Sequence, residues 1–428
     1  MSANELPSVR HIRSQITGIG IIIRINRILR CIGLGSKKIG GIQTKYDEMR
    51  RQLTDLTEYP RRFNKIFSED GWLAHESMNF EVMKKAVDTY ETKGRTVAEQ
   101  VLLDYYSAAQ VERRLFFFLG LEELRVRRKF IDYALDECKN SRFYSAIPLL
   151  LMVIDGAVND ATGKGFHTSD ADLDVWDCLT TSDGAIYTIR DIFKKGRRAT
   201  CTDPISLPYR NGILHGMDLS YDNPVVAAKC WCFLFVIRDW LASKKSESQR
   251  KMAFENETKV PSVMELAIKI AQTERLKQAV EAWRPRSISE VYIADLNSSL
   301  AADENLPEGV VLTFMSLWKR RNYGDMAKLF RTQDVGNPKN YARVVKEQYG
   351  AVRVGGYFIV RILDEAPVIT HVIVRINVAD PLRQCDLPFW EFRMIREDEN
   401  GEITPPTIQG GHWQIVWVQQ ERERTECT

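Results

Sequence analysis

The stretch at 223–241 reads NPVVAAKCWCFLFVIRDWL, and its pattern predicts a buried helix. Asn223 is a preferred capping residue, and Pro224 suits a first helical turn because its fixed φ is already helical. The seventeen residues that follow are mostly apolar and include two tryptophans, Trp231 and Trp240. The sequence therefore predicts that Val225–Leu241 is a core helix.

The region before this helix also predicts helices, from about Arg61 to Lys245. Apolar residues recur at helical spacing in three long segments, and strand signals are sparse. The predicted helices are Thr96–Leu119, Glu122–Cys138 and Arg142–Ala161. An all-α helical bundle is the expected fold of this region.

The pattern changes after the core helix. Ser243–Thr258 is polar and charged, as an exposed connector would be, and Pro261–Trp283 predicts an amphipathic helix. Two further helices are predicted at Val310–Lys319 and Met326–Phe330. Alternating strand patterns follow at Tyr357–Leu363, Val368–Asn377, Phe389–Arg396 and His412–Gln419, the first two as a hairpin. Helices followed by strands predict an α+β domain with a curved antiparallel sheet.

These patterns give four predicted regions. They are a basic N-terminal extension at 1–60, the helical domain at 61–245, a linker and helix at 246–306, and the α+β domain at 307–428. Residues 1–65 hold 13 Lys and Arg against 5 Asp and Glu, although the whole chain has a formal net charge of only +3. Ile16–Leu34 predicts a helix packed on the body or, alternatively, a basic amphipathic segment that contacts a membrane surface or nucleic acid.

The spacing of cysteines, histidines and apolar residues bears on metal sites, membrane spans and disulfides. The eight cysteines form no C-x-x-C pair, and five of the six histidines, at 11, 75, 167, 371 and 412, lack metal-ligand spacing. We therefore expect no metal and no cofactor. No apolar run reaches the ~20 residues that a membrane span requires. A chain of 428 residues does not need disulfides, so a reducing cytoplasm is the expected location.

The segment that carries chemistry is Leu207–Gly216, which reads LPYRNGILHG. Pro208 suits the start of a short helix and Gly216 its end. On such a helix Asn211 and His215 are four residues apart and share a face. The long side chain of Arg210 can reach the same space, so a guanidinium, an amide and an imidazole are expected to converge.

These three groups suit a phosphodiester. A guanidinium binds phosphate oxygens bidentately, and an imidazole exchanges a proton near neutral pH. RNA cleavage without a metal needs a group that moves the proton of the 2′-hydroxyl or of the leaving oxygen. It also needs a group that stabilises the extra negative charge of the transition state.

The string R-N-x-x-x-H-G resembles the signature of the HEPN superfamily (higher eukaryotes and prokaryotes nucleotide-binding). The resemblance covers about Arg61–Lys245. It implies a helical bundle that forms a homodimer in which two motifs face each other, and a metal-independent ribonuclease. Arg210 and His215 match the catalytic pair, and Asn211 matches the polar position beside the arginine. Such proteins belong to toxin, antiphage and RNA-processing systems.

An acidic or polar partner on a neighbouring helix also recurs in this superfamily, and Asp155 is the candidate. Its carboxylate could orient His215 or pair with Arg210. Alternatively, it faces water at a helix end or pairs with another arginine of the bundle. Asn159 lies four residues later on the same helical face.

The region at about 308–424 resembles the nuclear-transport-factor-two-like fold, a cone-shaped α+β fold shared with SnoaL-like and ketosteroid-isomerase-like proteins. Trp318, Asn322–Met326, Trp390–Arg396 and Trp413–Val418 carry that resemblance. It implies a pocket for a small ligand, an active site or an assembly surface. Asp325, Arg375 and His412 are candidate pocket residues, although a surface or pairing role is also expected for each.

Three functions follow from these patterns. The first is a metal-independent endoribonuclease with Arg210, Asn211, His215 and Asp155 at its site. The second is a non-catalytic RNA- or nucleotide-binding module, with the C-terminal cone used for assembly or ligand sensing. The third places the enzyme in the C-terminal cone, acting on a small molecule.

Overall fold

The chain divides into two compact units, Met1–Pro261 and Ser262–Thr428. The structure is a computed structural model, and it describes 5–14, 16–17, 40–118, 120–166, 171–256, 275–299, 303, 305–331, 338–378, 389–399 and 401–421. Most of the predicted segments Ile16–Leu34 and Pro261–Trp283 lie outside these residues, as does His167. Each unit has its own hydrophobic core.

The first unit is helical. Its described helices are α1 (Gly40–Phe67), α2 (Phe80–Lys93), α3 (Arg95–Tyr105), α4 (Ala108–Glu112), α5 (Glu122–Arg125), α6 (Arg128–Lys139), α7 (Phe143–Thr162), α8 (Ala185–Lys194), α9 (Arg210–Leu214) and α10 (Pro224–Asn256). Residues 7–14 are also helical. Helix α7 packs against α6 and α10, and the short α9 packs against α7 and α8.

The predicted core helix is confirmed as the first part of α10. The side chain of Asn223 accepts a hydrogen bond from the backbone N–H of Val226 at 3.0 Å, so it caps the helix as expected. Trp231 and Trp240 are fully buried, and the indole of Trp240 donates to the Leu173 carbonyl at 2.8 Å. The first part of α10 therefore lies in the hydrophobic core of the first unit.

The prediction of an exposed connector at Ser243–Thr258 is wrong for 243–256, because α10 continues to Asn256. Two side chains of this extension bind the segment that precedes α8. Lys244 donates to the Asp172 carbonyl at 3.0 Å, and Arg250 donates to the Asp177 carbonyl at 3.1 Å. Lysine, glutamate and arginine are good helix formers. A charged segment such as this one can therefore remain helical once such contacts hold it.

The segment predicted as one helix at Thr96–Leu119 is broken into α3, α4 and a 3-10 turn at Leu115–Phe118. The break lies at Ser107, which has an extended conformation. The Arg114 guanidinium donates to the Tyr105 carbonyl that the break exposes, and it lies 3.8 Å from the centroid of the Tyr105 ring. A side chain nine residues away thus replaces the interrupted helical hydrogen bond.

Helix α7 is the one helix of the described residues that is long and apolar enough to cross a membrane. Its apolar residues Leu150, Val153 and Ile154 are completely buried in the core of the first unit. That packing is typical of the central helix of a globular domain, and it is consistent with the expectation of no integral span.

The second unit is α+β. Its described elements are α11 (Glu290–Ser299), α12 (Pro307–Lys319), α13 (Tyr323–Lys328), α14 (Pro338–Tyr349), β1 (Val354–Ala366), β2 (Ile369–Val378), β3 (Phe389–Glu397) and β4 (His412–Glu421). The strands form one antiparallel sheet in the order β1-β2-β3-β4. The predicted hairpin is therefore confirmed, and register shifts in β1 and β3–β4 are of the kind that bend a sheet.

One face of this sheet packs on the helices of the second unit. Val372, Val374 and Ile376 of β2 are completely buried, whereas the alternating residues His371 and Arg375 are partly exposed. Helix α11 lies where the sequence pattern predicted no element. Its Asn297 side chain donates to the Ile359 carbonyl at 2.8 Å and accepts from the Ile359 N–H at 2.7 Å, which fixes α11 to β1.

Candidate functional site

The site is built around α9, a helix of only five residues. The helix begins after Tyr209 and ends at His215, and Gly216 follows with a φ of +68°. Glycine adopts that left-handed conformation without strain, so it ends the helix as the sequence predicted. Pro208 lies before the helix rather than in its first turn. A single turn has little stability of its own, so its neighbours must hold it in place.

Gly212 is the residue of α9 that lies closest to the chain that follows the helix. A Cβ atom added there would overlap Oδ2 of Asp218. Asp218 is completely buried, and the Gly212 carbonyl accepts the backbone N–H groups of both Met217 and Asp218, at 2.7 and 3.0 Å. The chain therefore folds back tightly on the motif immediately after His215, and only glycine leaves room for that fold.

Arg210 is bound by two neighbouring side chains. Its Nη2 donates to Oδ2 of Asp155 at 2.7 Å, and its Nη1 donates to Oδ1 of Asn211 at 3.0 Å. The side chains of Arg210 and Asp155 are 18% and 17% exposed, so the ion pair is mostly shielded from water. Of the roles considered for Asp155, pairing with Arg210 is the one that the structure shows.

Asn211 links the motif to α8. Its side-chain amide donates to the carbonyl of Lys194, the last residue of α8, at 3.1 Å. Asp155 lies on α7, where its Oδ1 also accepts the backbone N–H of Phe166 at 3.3 Å. The three side chains Arg210, Asn211 and Asp155 thus tie α7, α8 and α9 together around one guanidinium.

His215 occupies the exposed end of α9. Its backbone N–H donates to the Asn211 carbonyl at 3.1 Å, which places the two residues one helical turn apart. Its side chain has no hydrogen bond or ion pair with any residue that the structure describes. The structure therefore joins three of the four predicted site residues and leaves the imidazole facing solvent beside them.

The sequence reading missed a cluster of cations beside the motif. Residues 194–198 read KKGRR and run on from Lys194, the last residue of α8; we call them the basic loop. Arg197 Nε donates to Oδ1 of the buried Asp218 at 2.8 Å, and this hydrogen bond raises the pKa of the Arg197 guanidinium. Lys195 Nζ lies 3.3 Å from the Tyr209 hydroxyl. Four cations in five residues, shortly before the motif, were a signal that charge patterning could have found.

The candidate pocket residues of the second unit have ordinary pairing roles. Asp325 binds Lys328 and Asn322 at the start of α13, and these hydrogen bonds lower the pKa of its carboxyl. The Arg375 guanidinium lies 5.2 Å from the centroid of the Phe389 ring, and His412 is hydrogen-bonded to Gln414 at 2.8 Å. These contacts are expected of residues on a sheet surface or a helix end.

The donor set at α9 suits phosphate chemistry. A guanidinium stabilises a developing negative charge, and an imidazole accepts or donates a proton. Over the ranges that the structure covers, no three His, Cys, Asp or Glu side chains are grouped as metal ligands. Among known proteins, no family model, no curated sequence and no solved structure matches the chain.

Proposed function

We propose that the chain is a metal-independent endoribonuclease of the HEPN type, with its site at α9. The observation that carries this proposal is the arrangement of Arg210. Asp155 and Asn211 hold its guanidinium in place, and His215 lies five residues later, at the end of the same short helix. A fixed cation and a solvent-facing imidazole on one short helix supply charge stabilisation and proton transfer, the two contributions that metal-free cleavage of a phosphodiester uses.

In the proposed reaction His215 accepts the proton of a ribose 2′-hydroxyl. The 2′-oxygen attacks the adjacent phosphorus, the bond from phosphorus to the 5′-oxygen breaks, and the departing 5′-oxygen takes a proton from water. His215 then releases its proton to the solvent. The products are a 2′,3′-cyclic phosphate and a 5′-hydroxyl. Arg210 binds the phosphate oxygens with the remaining N–H groups of its two terminal nitrogens, Nη1 and Nη2, since its Nε is buried. DNA is spared because it has no 2′-hydroxyl.

We propose in addition that the protein acts as a homodimer through its helical unit. Large apolar side chains are exposed around the motif, as at a surface that a second copy would cover. They include Tyr144 and Met152 on α7, which share a helical face with Asp155, and Leu214 and Leu219 on either side of His215. Dimerisation there would bring two copies of the motif together.

The proposed role of the second unit is assembly or the sensing of a small ligand, on a nuclear-transport-factor-two-like cone. The order of its elements supports that fold, because α12, α13 and α14 precede a bent antiparallel sheet. The cytoplasm and a defence or toxin-like system are the setting proposed for the whole protein. This setting rests on the resemblance of the motif alone.

A binding module without catalysis is the alternative. It is favoured by one feature of His215, namely that no described side chain orients its imidazole. Catalytic imidazoles are usually oriented by a hydrogen bond at the second ring nitrogen. Binding of RNA with no cleavage by the wild-type protein under any condition would support this alternative.

The test is cleavage of a mixed RNA pool and of matched DNA in excess EDTA. Wild type should cut RNA and leave DNA intact. Arg210→Ala and His215→Ala should each lower the rate by about 100-fold or more, because proton transfer and charge stabilisation each contribute that much. His412→Ala is the matched control, since it removes an exposed histidine of the other unit. Equal cleavage by wild type and His215→Ala would refute the proposed site.

A further inference from the structure

Hydrogen bonds at the start of the basic loop and after its end tie the chain to the segment that contains and follows the motif. At one end the Lys194 carbonyl accepts from the Asn211 side chain at 3.1 Å. After the loop, the backbone N–H of Cys201 donates to the Met217 carbonyl at 2.7 Å. The backbone N–H of Leu219 in turn donates to the Cys201 carbonyl at 3.0 Å. Arg198 lies between these ties on one segment, and His215 lies between them on the other.

Arg197 and Lys195 of the loop contact the Tyr209 ring, whereas Arg198 does not. Arg197 pairs with Asp218, and its guanidinium also lies 5.3 Å from the centroid of the Tyr209 ring, so it holds the loop against α9. Lys195 lies 4.8 Å from the centroid of the same ring, with its amine at an exposed position. Arg198 is exposed and pairs with no residue in the described ranges.

The surface formed by the loop and the motif is strongly positive. It carries Lys195, Arg197, Arg198 and Arg210. The carboxylates bonded to these cations are Asp155 and Asp218, and both are shielded from water. An excess of two positive charges remains, on the exposed residues Lys195 and Arg198 of the loop that is tied to the motif.

We infer that Lys195 and Arg198 bind the phosphates of a single-stranded RNA on either side of the phosphodiester held at Arg210 and His215. This inference rests on the proposed function and adds a track for the backbone of the strand. Successive phosphates along a strand would meet successive cations of the loop, and backbone contacts of this kind supply most sequence-independent affinity. An acidic peptide would also be attracted by the charge, but it offers nothing to the Arg210–His215 pair.

The test compares the binding of labelled single-stranded oligouridine by fluorescence anisotropy, in the His215→Ala background so that no cleavage occurs. The full-length chain is used, with and without the further pair Lys195→Ala and Arg198→Ala. We expect binding to weaken about tenfold. The slope of log affinity against log salt should become shallower by about 1.4, which is about 0.7 for each lost phosphate contact on a single strand.

The matched control is the pair Lys85→Ala and Lys93→Ala, which removes two exposed lysines from α2 of the same unit and should leave both quantities unchanged. Unchanged affinity and slope in the loop variant would overturn the inference, as would no RNA binding by its His215→Ala parent. Displacement of the RNA by oligoglutamate at equal phosphate and carboxylate concentration would also overturn it. The EDTA cleavage assay decides the proposed function separately, because it measures the rate of bond breaking in the wild-type protein.

Discussion

At the scale of single residues, the Arg210–Asp155 pair links the stability of the helical unit to the proposed site. Its 2.7 Å contact joins residues 55 positions apart in the chain, with both side chains mostly buried. A buried carboxylate without its partner is costly, because desolvation is then no longer offset by the opposite charge. The same pair that presents the guanidinium at the site therefore also stabilises the packing of α9 on α7.

A double-mutant cycle with Arg210→Ala and Asp155→Ala measures this pairing. We expect a coupling free energy of about 0.5–3 kcal/mol, the range for residues in direct contact. The readout is denaturant unfolding of the helical unit in the full chain. The exposed pair Arg343–Glu347 is the control, with a coupling of at most about 1 kcal/mol. Additive effects of Arg210→Ala and Asp155→Ala would contradict the paired geometry.

Gly212 gives a second prediction at this scale. Gly212→Ala should destabilise the helical unit by about 1–3 kcal/mol, because the added methyl group overlaps the buried carboxylate of Asp218. Gly196→Ala is the control, since an added Cβ there meets no atom within 4 Å. Its effect should remain within about 0.5 kcal/mol. Equal unfolding midpoints for the two variants would show that the chain does not fold back so closely on α9.

At the scale of elements, the sheet of the second unit contains a pH-sensitive contact. His371 of β2 lies between Glu391 of β3 and Glu365 of β1, with 2.8 Å from its Nε2 to Glu365. Burial acts to lower the pKa of His371, but the hydrogen bonds to the two carboxylates outweigh it and raise the pKa above 6.5. The protonated imidazole thus links three neighbouring strands.

A raised pKa in the folded state adds stability that is complete below the unfolded pKa and is lost as pH rises through the folded one. His371→Gln should therefore melt at a lower temperature than wild type at pH 6, and the difference should shrink towards pH 9. Thermal melts across this range measure it, with His412→Gln as the control. A difference that stays constant with pH would rule out a charged His371 in the fold.

Local patterns predicted some elements well. The periodicity and cap of α10 and the alternation of β1 and β2 depend on neighbours in sequence, so these elements were predictable. The break at Ser107 was not, because it depends on a hydrogen bond from Arg114 to a carbonyl exposed by the break itself. The continuation of α10 beyond Leu241 likewise depends on contacts with residues about 70 positions earlier.

The candidate site likewise contains features that local sequence predicts and features that depend on the fold. The helix at α9 and its end at Gly216 follow from a short string of residues. The ion pair of Arg197 with Asp218 joins residues 21 positions apart, and only the fold brings them together. The sequence could name Asp155 as a candidate, but it could not choose between its possible partners, because that choice depends on how α9 packs on α7.

At the scale of the whole molecule, the proposed homodimer is tested through Met152. Light scattering after size-exclusion chromatography should give the wild-type protein a molar mass of twice 49.3 kDa. Met152→Asp should shift the protein towards the monomer and lower cleavage in parallel, because burial of a carboxylate in an apolar contact is unfavourable. Val97→Asp, at an exposed apolar position on α3, is the control. A monomeric wild type that cleaves RNA would contradict the dimer.

The central claim is that the imidazole of His215 moves the proton of a ribose 2′-hydroxyl while Arg210 stabilises the phosphate. Chemical analysis of the 3′ ends left on RNA, in excess EDTA, tests it most directly. We predict 2′,3′-cyclic phosphates on the products of wild type, and none above background with His215→Ala or Arg210→Ala. Products that carry 3′-hydroxyl ends, or cleavage that persists after a 2′-deoxy nucleotide replaces the one at the cut, would contradict the claim.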